Sequence, residues 1–355
     1  MYLRSFVPFG QTMCAGTLSF HLTLTKNNFF NMVYIFSLMA LVAIVWGADI
    51  LVEGSVFLAR RFRISDFVVG AIIVGIGTSM PELAVSAYGA WCGNADVAIG
   101  NVVGSNIFNV LAILGLTAAL WPVAVTRGNM RFDMPVCLGV SVLALLLAFN
   151  FFAGGDVCIG RADGLLLLAL FAAFIFVSFV RDRRSAKRVD SAEQTEIAVC
   201  DVAPQLKIYW ALLRIVCGLL ALVVGSRFFV DFSVEIARAW GVDDAFISVT
   251  LLACGTSLPE LAASLAAAFK HNTQLALGNI IGSNIFNITF ILGISSLITP
   301  LSGGGVTMVD YIVMVAAAAL PMLLGATGRI ARWGGVLMVL CYVAYAAYLI
   351  RMQTI

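Results

Sequence analysis

Long apolar runs separated by short polar stretches set the pattern of this chain. A helix needs about 20 mostly apolar residues to cross a bilayer. Ten such runs occur, near 33–57, 66–91, 96–121, 133–153, 163–180, 208–236, 244–269, 274–299, 308–326 and 331–350. The pattern predicts an all-α membrane protein with ten transmembrane helices. Composition agrees: 61% of the 355 residues are apolar and 11% are charged, against about 45–50% and 25% in soluble domains. So little charge cannot coat a soluble protein, and 25 Phe with so many apolar residues exclude a disordered chain. The lipid bilayer is the medium this sequence is built for. A net charge of +2 offers no electrostatic case for a nucleic-acid partner.

The basic residues set an orientation. With the stretch before the first span outside, the inner loops carry Arg60, Arg61 and Arg63; Arg127 and Arg131; Arg181, Arg183, Arg184, Lys187, Arg188 and Lys207; Lys270; and Arg329 with Arg332. These are fourteen basic residues against five outside, Arg4, Lys26, Arg161, Arg238 and Arg351, with Arg214 and Arg227 inside the sixth span. The positive-inside rule then places both termini outside and the central polar stretch in the cytoplasm. Residues 1–31 lack the charged start and long apolar core of a secretory signal. They read either as an extracytoplasmic extension or as residues ahead of an internal start at Met32.

The chain repeats itself at an offset of 178 residues. Gly77-Thr78-Ser79-Met80-Pro81-Glu82-Leu83 returns as Gly255-Thr256-Ser257-Leu258-Pro259-Glu260-Leu261. Gly100-Asn101-Val102-Val103-Gly104-Ser105-Asn106-Ile107-Phe108-Asn109 returns as Gly278-Asn279-Ile280-Ile281-Gly282-Ser283-Asn284-Ile285-Phe286-Asn287. Five spans per copy is an odd number, so the second copy enters the membrane from the opposite side. The expected organisation is an extension (1–31), a first five-helix repeat (32–180), a cytoplasmic linker (181–207) and a second, inverted five-helix repeat (208–355). Inverted repeats characterise alternating-access transporters.

The repeated residues are polar ones in mid-span. A carboxylate costs about 2.5–3.5 kcal/mol at a helix centre on insertion scales, and Glu82 and Glu260 incur that cost at equivalent positions. A shared divalent cation would keep both ionised. Pro81 and Pro259 lack an N–H and disfavour helix before them, so each span should break there and free carbonyls around Gly75–Gly77 and Ala253–Gly255. Thr78, Ser79, Thr256 and Ser257 are either ligands or caps of the following helix. Ser105 and Asn109 share one helix face, as do Ser283 and Asn287. Asn101, Asn106, Asn279 and Asn284 suit either ligation or bonding between helices, and the Gly100/Gly104 and Gly278/Gly282 pairs suit close packing. Every candidate donor is oxygen, which selects a hard cation such as Ca²⁺, with Na⁺ accepting the same oxygens. Glu53 and Asp231 are also related by the offset and read as salt-pairing or vestibule residues. Asp49 and Arg227 are equivalent but opposite in charge, which argues against an ion site there.

These two doubled motifs resemble those of the calcium/cation antiporter superfamily, specifically the prokaryotic sodium/calcium exchangers, over roughly residues 32–350. The resemblance implies ion sites between the second, third, seventh and eighth helices. Glu82 and Glu260 would bind Ca²⁺, and Thr78 and Thr256 would offer carbonyls. Ser79, Ser105, Ser257 and Ser283, with the carbonyls of Gly75 and Ala253, would form flanking Na⁺ sites, and Asn109 would lie near the central one. One departure stands out: several family members carry Asp in the second repeat where this chain has Asn287. The implied function is export of Ca²⁺ in exchange for Na⁺ across the inner (plasma) membrane.

Other readings stay open on the residues alone: a Ca²⁺/H⁺ or K⁺-dependent antiporter, and, from another class, a cation channel. Enzymes are not supported, since no H-E-x-x-H or G-x-S-x-G pattern occurs and only His21 and His271 are present. No nucleotide-binding loop is present for an ATP-driven pump. The eight scattered cysteines form no C-x-x-C pair, so neither a disulfide framework nor a cofactor is expected. No protein partner is indicated.

Overall fold

The computed structural model describes residues 26–149, 158–192, 207–240, 255–302 and 305–353. In chain order the helices are α1 (Lys26–Phe62), α2 (Asp66–Thr78), α3 (Met80–Trp91), α4 (Ala95–Leu120), α5 (Asn129–Ala148) and α6 (Arg161–Ala192). They continue as α7 (Ile208–Ala239), α8 (Leu258–Phe269), α9 (Thr273–Ile298), α10 (Met308–Leu324) and α11 (Arg332–Gln353). Two-residue strands β1 (Val123–Ala124) and β2 (Arg329–Ile330) pair antiparallel. Among the described residues, seven helices are long and apolar enough to cross a membrane, and the bent α2–α3 pair makes eight; α8 and α10 are shorter apolar helices.

One helix runs further than its apolar stretch. The helix of the fifth run does not stop at residue 180 but continues to Ala192. Charge alone does not end a helix; Gly and Pro do, and the segment 181–192 contains neither. The first residues of the expected seventh span, 244–254, lie outside the described residues.

Glycines decide which helices touch. Along α1 and α7, Gly47 faces Gly218 and Ala221, Gly54 faces Ala211 and Ile215, and Gly225 faces Ala40 and Ile44. As α1 advances by seven residues its partner retreats by seven, so the two helices pack antiparallel on a seam of small residues. A Cβ at Gly47 would stand 2.8 Å from that of Ala221. Small residues at such seams let membrane helices approach closely enough for dispersion to hold them. Between α2 and α9 the run is parallel: a Cβ at Gly278 would overlap the backbone of Phe67, and one at Gly282 that of Ala71. The second-half Gly-x-x-x-Gly pair is therefore a packing device. For the first-half pair, no described atom comes within 4 Å of a Cβ at Gly104, and near Gly100 there is only Val306, at 3.7 Å. The repeat equivalents of Phe67 and Ala71, at 245 and 249, lie outside the described residues.

The central helices are α4 and α9, with 67% and 83% of their most apolar windows buried, against 17% for α11. Each contains a π-helical stretch, Phe108–Leu114 in α4 and Asn287–Ile291 in α9. The turn leading into each is the same in both halves. A left-handed residue, Gly93 (φ 74) or His271 (φ 58), precedes an Asn. That residue, Asn94 or Asn272, caps the helix by accepting from Val97 N or Leu275 N.

Contacts gather the basic clusters at one end of the bundle. Ser65 N donates to Asp182 (3.0 Å), Arg181 donates to Asp133 and to the Gly128 carbonyl, and Gln274 donates to the Ala124 carbonyl (2.6 Å). The β1–β2 pairing adds residues 329–330. At the same end Lys270 pairs with Asp49 and Glu53, and Arg214 with Glu53 (3.2 Å). Glu53 is thus a salt-pairing residue. These four side chains are between a third and half exposed, where an ion pair contributes about 0–1 kcal/mol. Lys270→Gln is accordingly expected to shift stability by no more than about 1 kcal/mol, checked by thermal unfolding in detergent. The other end is closed by a bridge between Ile159 and Leu301 and a bond from Gly305 N to Asp96.

Candidate functional site

The site begins at a proline. Pro81 cannot donate to the Gly77 carbonyl, nor Pro259 to that of Gly255, so the helical ladder loses one bond in each half. At the first of these, α2 and α3 meet at 48°. Ser79 (φ −83, ψ 10) and Ser257 (φ −91, ψ 8) adopt the same conformation. Each precedes a helix whose first turn holds a glutamate, Glu82 or Glu260. A helix N-terminus favours a carboxylate there, and both glutamates are fully buried.

Neither serine caps its own helix. Ser79 Oγ donates to Glu260 Oε1 (2.8 Å), and Ser257 Oγ donates to Glu82 Oε1 (3.0 Å). The choice between cap and site residue, open from sequence, is settled against the cap. Thr78 Oγ1 donates to the Gly75 carbonyl and to Asn279 Oδ1. The Gly75 carbonyl is not left bare by the break: it still accepts from Ser79 N (3.2 Å) and also from Ser283 Oγ (3.2 Å). Thr256 stands beside Glu82. Ser105 is buried on the α4 face shared with Asn109; Ala253, the equivalent of Gly75, lies outside the described residues.

Asparagines close the arrangement from α4 and α9. Asn106 and Asn284 each donate to the other's backbone carbonyl, at 3.4 and 3.2 Å. Asn109 Nδ2 donates to Asn284 Oδ1 (3.1 Å) and Asn287 Nδ2 to Asn106 Oδ1 (3.2 Å). This knot directs the amide protons of Asn109 and Asn287 between the helices and leaves their oxygens free. The π stretch holding Asn109 packs against α8, and the one holding Asn287 packs against α3. Single π turns inside α-helices are frequent at functional sites.

Among the described residues, four buried oxygens of these motif side chains have no hydrogen-bond partner: Glu82 Oε2, Glu260 Oε2, Asn109 Oδ1 and Asn287 Oδ1. They are two repeat-related pairs. An unsatisfied buried acceptor costs about 1–3 kcal/mol, and more if charged. Two carboxylate and two amide oxygens, with hydroxyls and carbonyls around them, form a donor set for a hard cation. Among the described residues no group of three or more His, Cys, Asp or Glu suits a metal ion, so the two carboxylates carry the charge of the site.

The sequence reading overlooked Ser86 and Ser264. Both are fully buried and accept a proton from Asn101 (2.9 Å) and Asn279 (2.8 Å). The signal was present, since both lie four residues after a motif glutamate and are related by the 178-residue offset. Asp231, by contrast, is exposed and takes no part in this arrangement.

The sequence pattern of the family described as sodium/calcium exchanger protein matches residues 32–180 and 210–351. The chain belongs to the sodium/calcium exchanger family. Its relatives include CaxA of Alkalimonas amylolytica, 38% identical over 316 residues, which span 88% of this chain and 96% of the relative. Sodium/calcium exchanger MaX1 of Methanosarcina acetivorans is 32% identical over 342 residues, 89% of this chain and 98% of its own. Among solved structures, the sodium-calcium exchanger NCX_Mj superposes with a TM-score of 0.75 at 32% identity, covering 90% of this chain and 99% of that one. The exchanger is therefore a multi-pass membrane transporter and not an enzyme.

Proposed function

We propose that this exchanger moves Ca²⁺ against Na⁺ by alternating access, with Glu82 and Glu260 as the central Ca²⁺ ligands. The four unpartnered oxygens at repeat-related positions carry this reading. Two carboxylates match one Ca²⁺ in charge, and Asn109 and Asn287 complete the set with neutral oxygens. Ser79 and Ser257 each use one proton on a glutamate, and a hydroxyl retains lone pairs for a cation. Those lone pairs, the Thr78 and Thr256 carbonyls, the Gly75–Ser283 pair and Ser105 supply the remaining Ca²⁺ contacts and the flanking Na⁺ sites. Na⁺ and Ca²⁺ compete for one acidic centre, which couples their movements.

The architecture we propose is ten transmembrane helices in two inverted five-helix repeats, 32–180 and 208–355, joined by the segment 181–207. The antiparallel α1–α7 seam supports inversion, because the first helix of one half runs against the first helix of the other. Reciprocal Ser–Glu and Asn–Asn bonds support a two-fold relation at the centre. Collection of the basic clusters at one end supports a cytoplasmic position for that end, an inner-membrane location and extracytoplasmic termini.

The test is uptake of radiolabelled Ca²⁺ into proteoliposomes under separately imposed Na⁺ and H⁺ gradients. Uptake driven by an outward Na⁺ gradient, and abolished when a Na⁺ ionophore collapses it, is expected. Uptake driven by a pH gradient without response to Na⁺ would make the protein a Ca²⁺/H⁺ exchanger. Flux indifferent to any counter-ion gradient would make it a channel.

A further inference from the structure

Two asparagines, the half-buried Asn101 and the buried Asn279, precede the central motif residues by two helical turns and have a shared geometry that ligation does not explain. Asn101 Nδ2 donates to the Glu82 carbonyl (3.1 Å) and to Ser86 Oγ (2.9 Å). Asn279 Nδ2 donates to the Glu260 carbonyl (3.2 Å) and to Ser264 Oγ (2.8 Å). Each amide therefore grips the backbone of the glutamate and the side chain one turn further along the same helix. Ser86 Oγ also donates back to the Ala98 carbonyl on α4 (3.3 Å), so α3 and α4 are stitched in both directions. Asn279 spends its oxygen on Thr78 of the other half (3.3 Å).

Asparagines that merely hold membrane helices together can bond any neighbouring polar group. Here both choose the glutamate carbonyl, one in each repeat. Eight residues beyond each anchor, on the same helix, lies the amide with the unpartnered oxygen, Asn109 or Asn287. An α-helix rises 1.5 Å per residue, so anchor and oxygen are about 12 Å apart on one stiff rod. Fixing Glu82 to Asn101 thus fixes the glutamate relative to Asn109, and Asn279 does the same for Glu260 and Asn287. The Asn106–Asn284 knot and the crossed Ser–Glu bonds then close these two rulers into one frame.

Discrimination among hard cations depends on cavity size, ligand number and rigidity. We propose that Asn101 and Asn279, backed by Ser86 and Ser264, are positioning residues that hold the carboxylate and amide oxygens at a fixed spacing and so set which divalent cation the exchanger accepts by size. The inference rests on the Ca²⁺ site proposed above.

The experiment measures KM and Vmax for Ca²⁺ and for the larger Sr²⁺ in Na⁺-loaded proteoliposomes. The proteins are wild type, Asn101→Ala, Asn279→Ala, Ser86→Ala and Ser86→Thr. Loss of a residue that orients a metal ligand typically costs 10–100-fold. The asparagine variants are expected to raise KM for Ca²⁺ about tenfold and that for Sr²⁺ by less, bringing the KM ratio toward one. Ser86→Ala should move the ratio the same way by about threefold, and Ser86→Thr, which keeps the hydroxyl, should restore it. Variants with lower yield and melting temperature but an unchanged Ca²⁺/Sr²⁺ ratio would overturn the inference, leaving only a packing role. An unchanged ratio in Ser86→Ala with Ser86→Thr equally unchanged would do the same. Wild-type protein that transports neither ion would instead overturn the functional reading beneath it.

Discussion

Glu82→Gln is expected to abolish Na⁺-driven Ca²⁺ uptake while leaving the folded protein as stable as before or more so, and Glu260→Gln to do the same. Each substitution removes one of the two negative charges that face the cation. Removing one member of a buried charge pair costs about 3–5 kcal/mol, which corresponds to roughly 10²–10³ in affinity. Folding responds differently. A glutamine oxygen still accepts the proton of Ser257 or Ser79, the one hydrogen bond that each carboxylate receives at Oε1. The oxygen lost or changed, Oε2, has no partner in either residue. The substitution also removes the cost of about 2.5–3.5 kcal/mol for placing a carboxylate in mid-membrane. Transport and thermal unfolding should therefore move in opposite directions. Normal exchange in either variant would remove that glutamate from the site, and a large fall in melting temperature would make it structural.

Gly282→Ala is expected to impair folding strongly. A Cβ there would overlap the Cα and carbonyl of Ala71. Overpacking costs about 1–3 kcal/mol where side chains can yield, and here the obstacle is backbone. The helices α2 and α9 would have to separate, and the Ser283–Gly75 bond lies one residue from the insertion. A fall in detergent melting temperature and in folded yield should accompany loss of transport. Gly139→Ala is the comparison, because nothing lies within 4 Å of a Cβ at that exposed position on α5. It should be neutral, or stabilising by up to about 1 kcal/mol, since Ala is the better helix former. Equal stability of the two variants would mean that the α2–α9 approach is less tight than the structure has it.

Much of the site was legible before any coordinates. Glu82 and Glu260 stood out because a carboxylate in an apolar run is costly, and because the repeat placed two of them at equivalent positions. Asn109, Asn287, Ser105 and Ser283 followed from four-residue spacing. Pro81 and Pro259 predicted the break, since a missing N–H is a local fact. Ser86 and Ser264 were equally visible in the repeat but passed as ordinary hydroxyls in an apolar helix, where solvent exposure and partners are unknown from spacing. α6 runs past its apolar stretch to Ala192, because polar side chains can end a membrane span without ending a helix.

What spacing could not supply was destination. Ser79 looks like a helix cap in sequence, but its hydroxyl accepts from no N–H of the helix and donates to Glu260, 181 residues away. Asn101 and Asn106 are the same residue type five positions apart, yet one braces Glu82 and the other ties α4 to α9.

The sequence alone determined the membrane class, the doubled motifs and the oxygen chemistry of the centre, because these follow from composition, period and identity within a few residues. The tertiary structure decided which hydroxyl meets which carboxylate, which way each amide turns, and therefore which motif oxygens have no partner among the described residues. Those outcomes depend on helices meeting across some 175–181 residues of chain, and a hydrogen bond is directional enough to be made or lost by less than the width of one side chain.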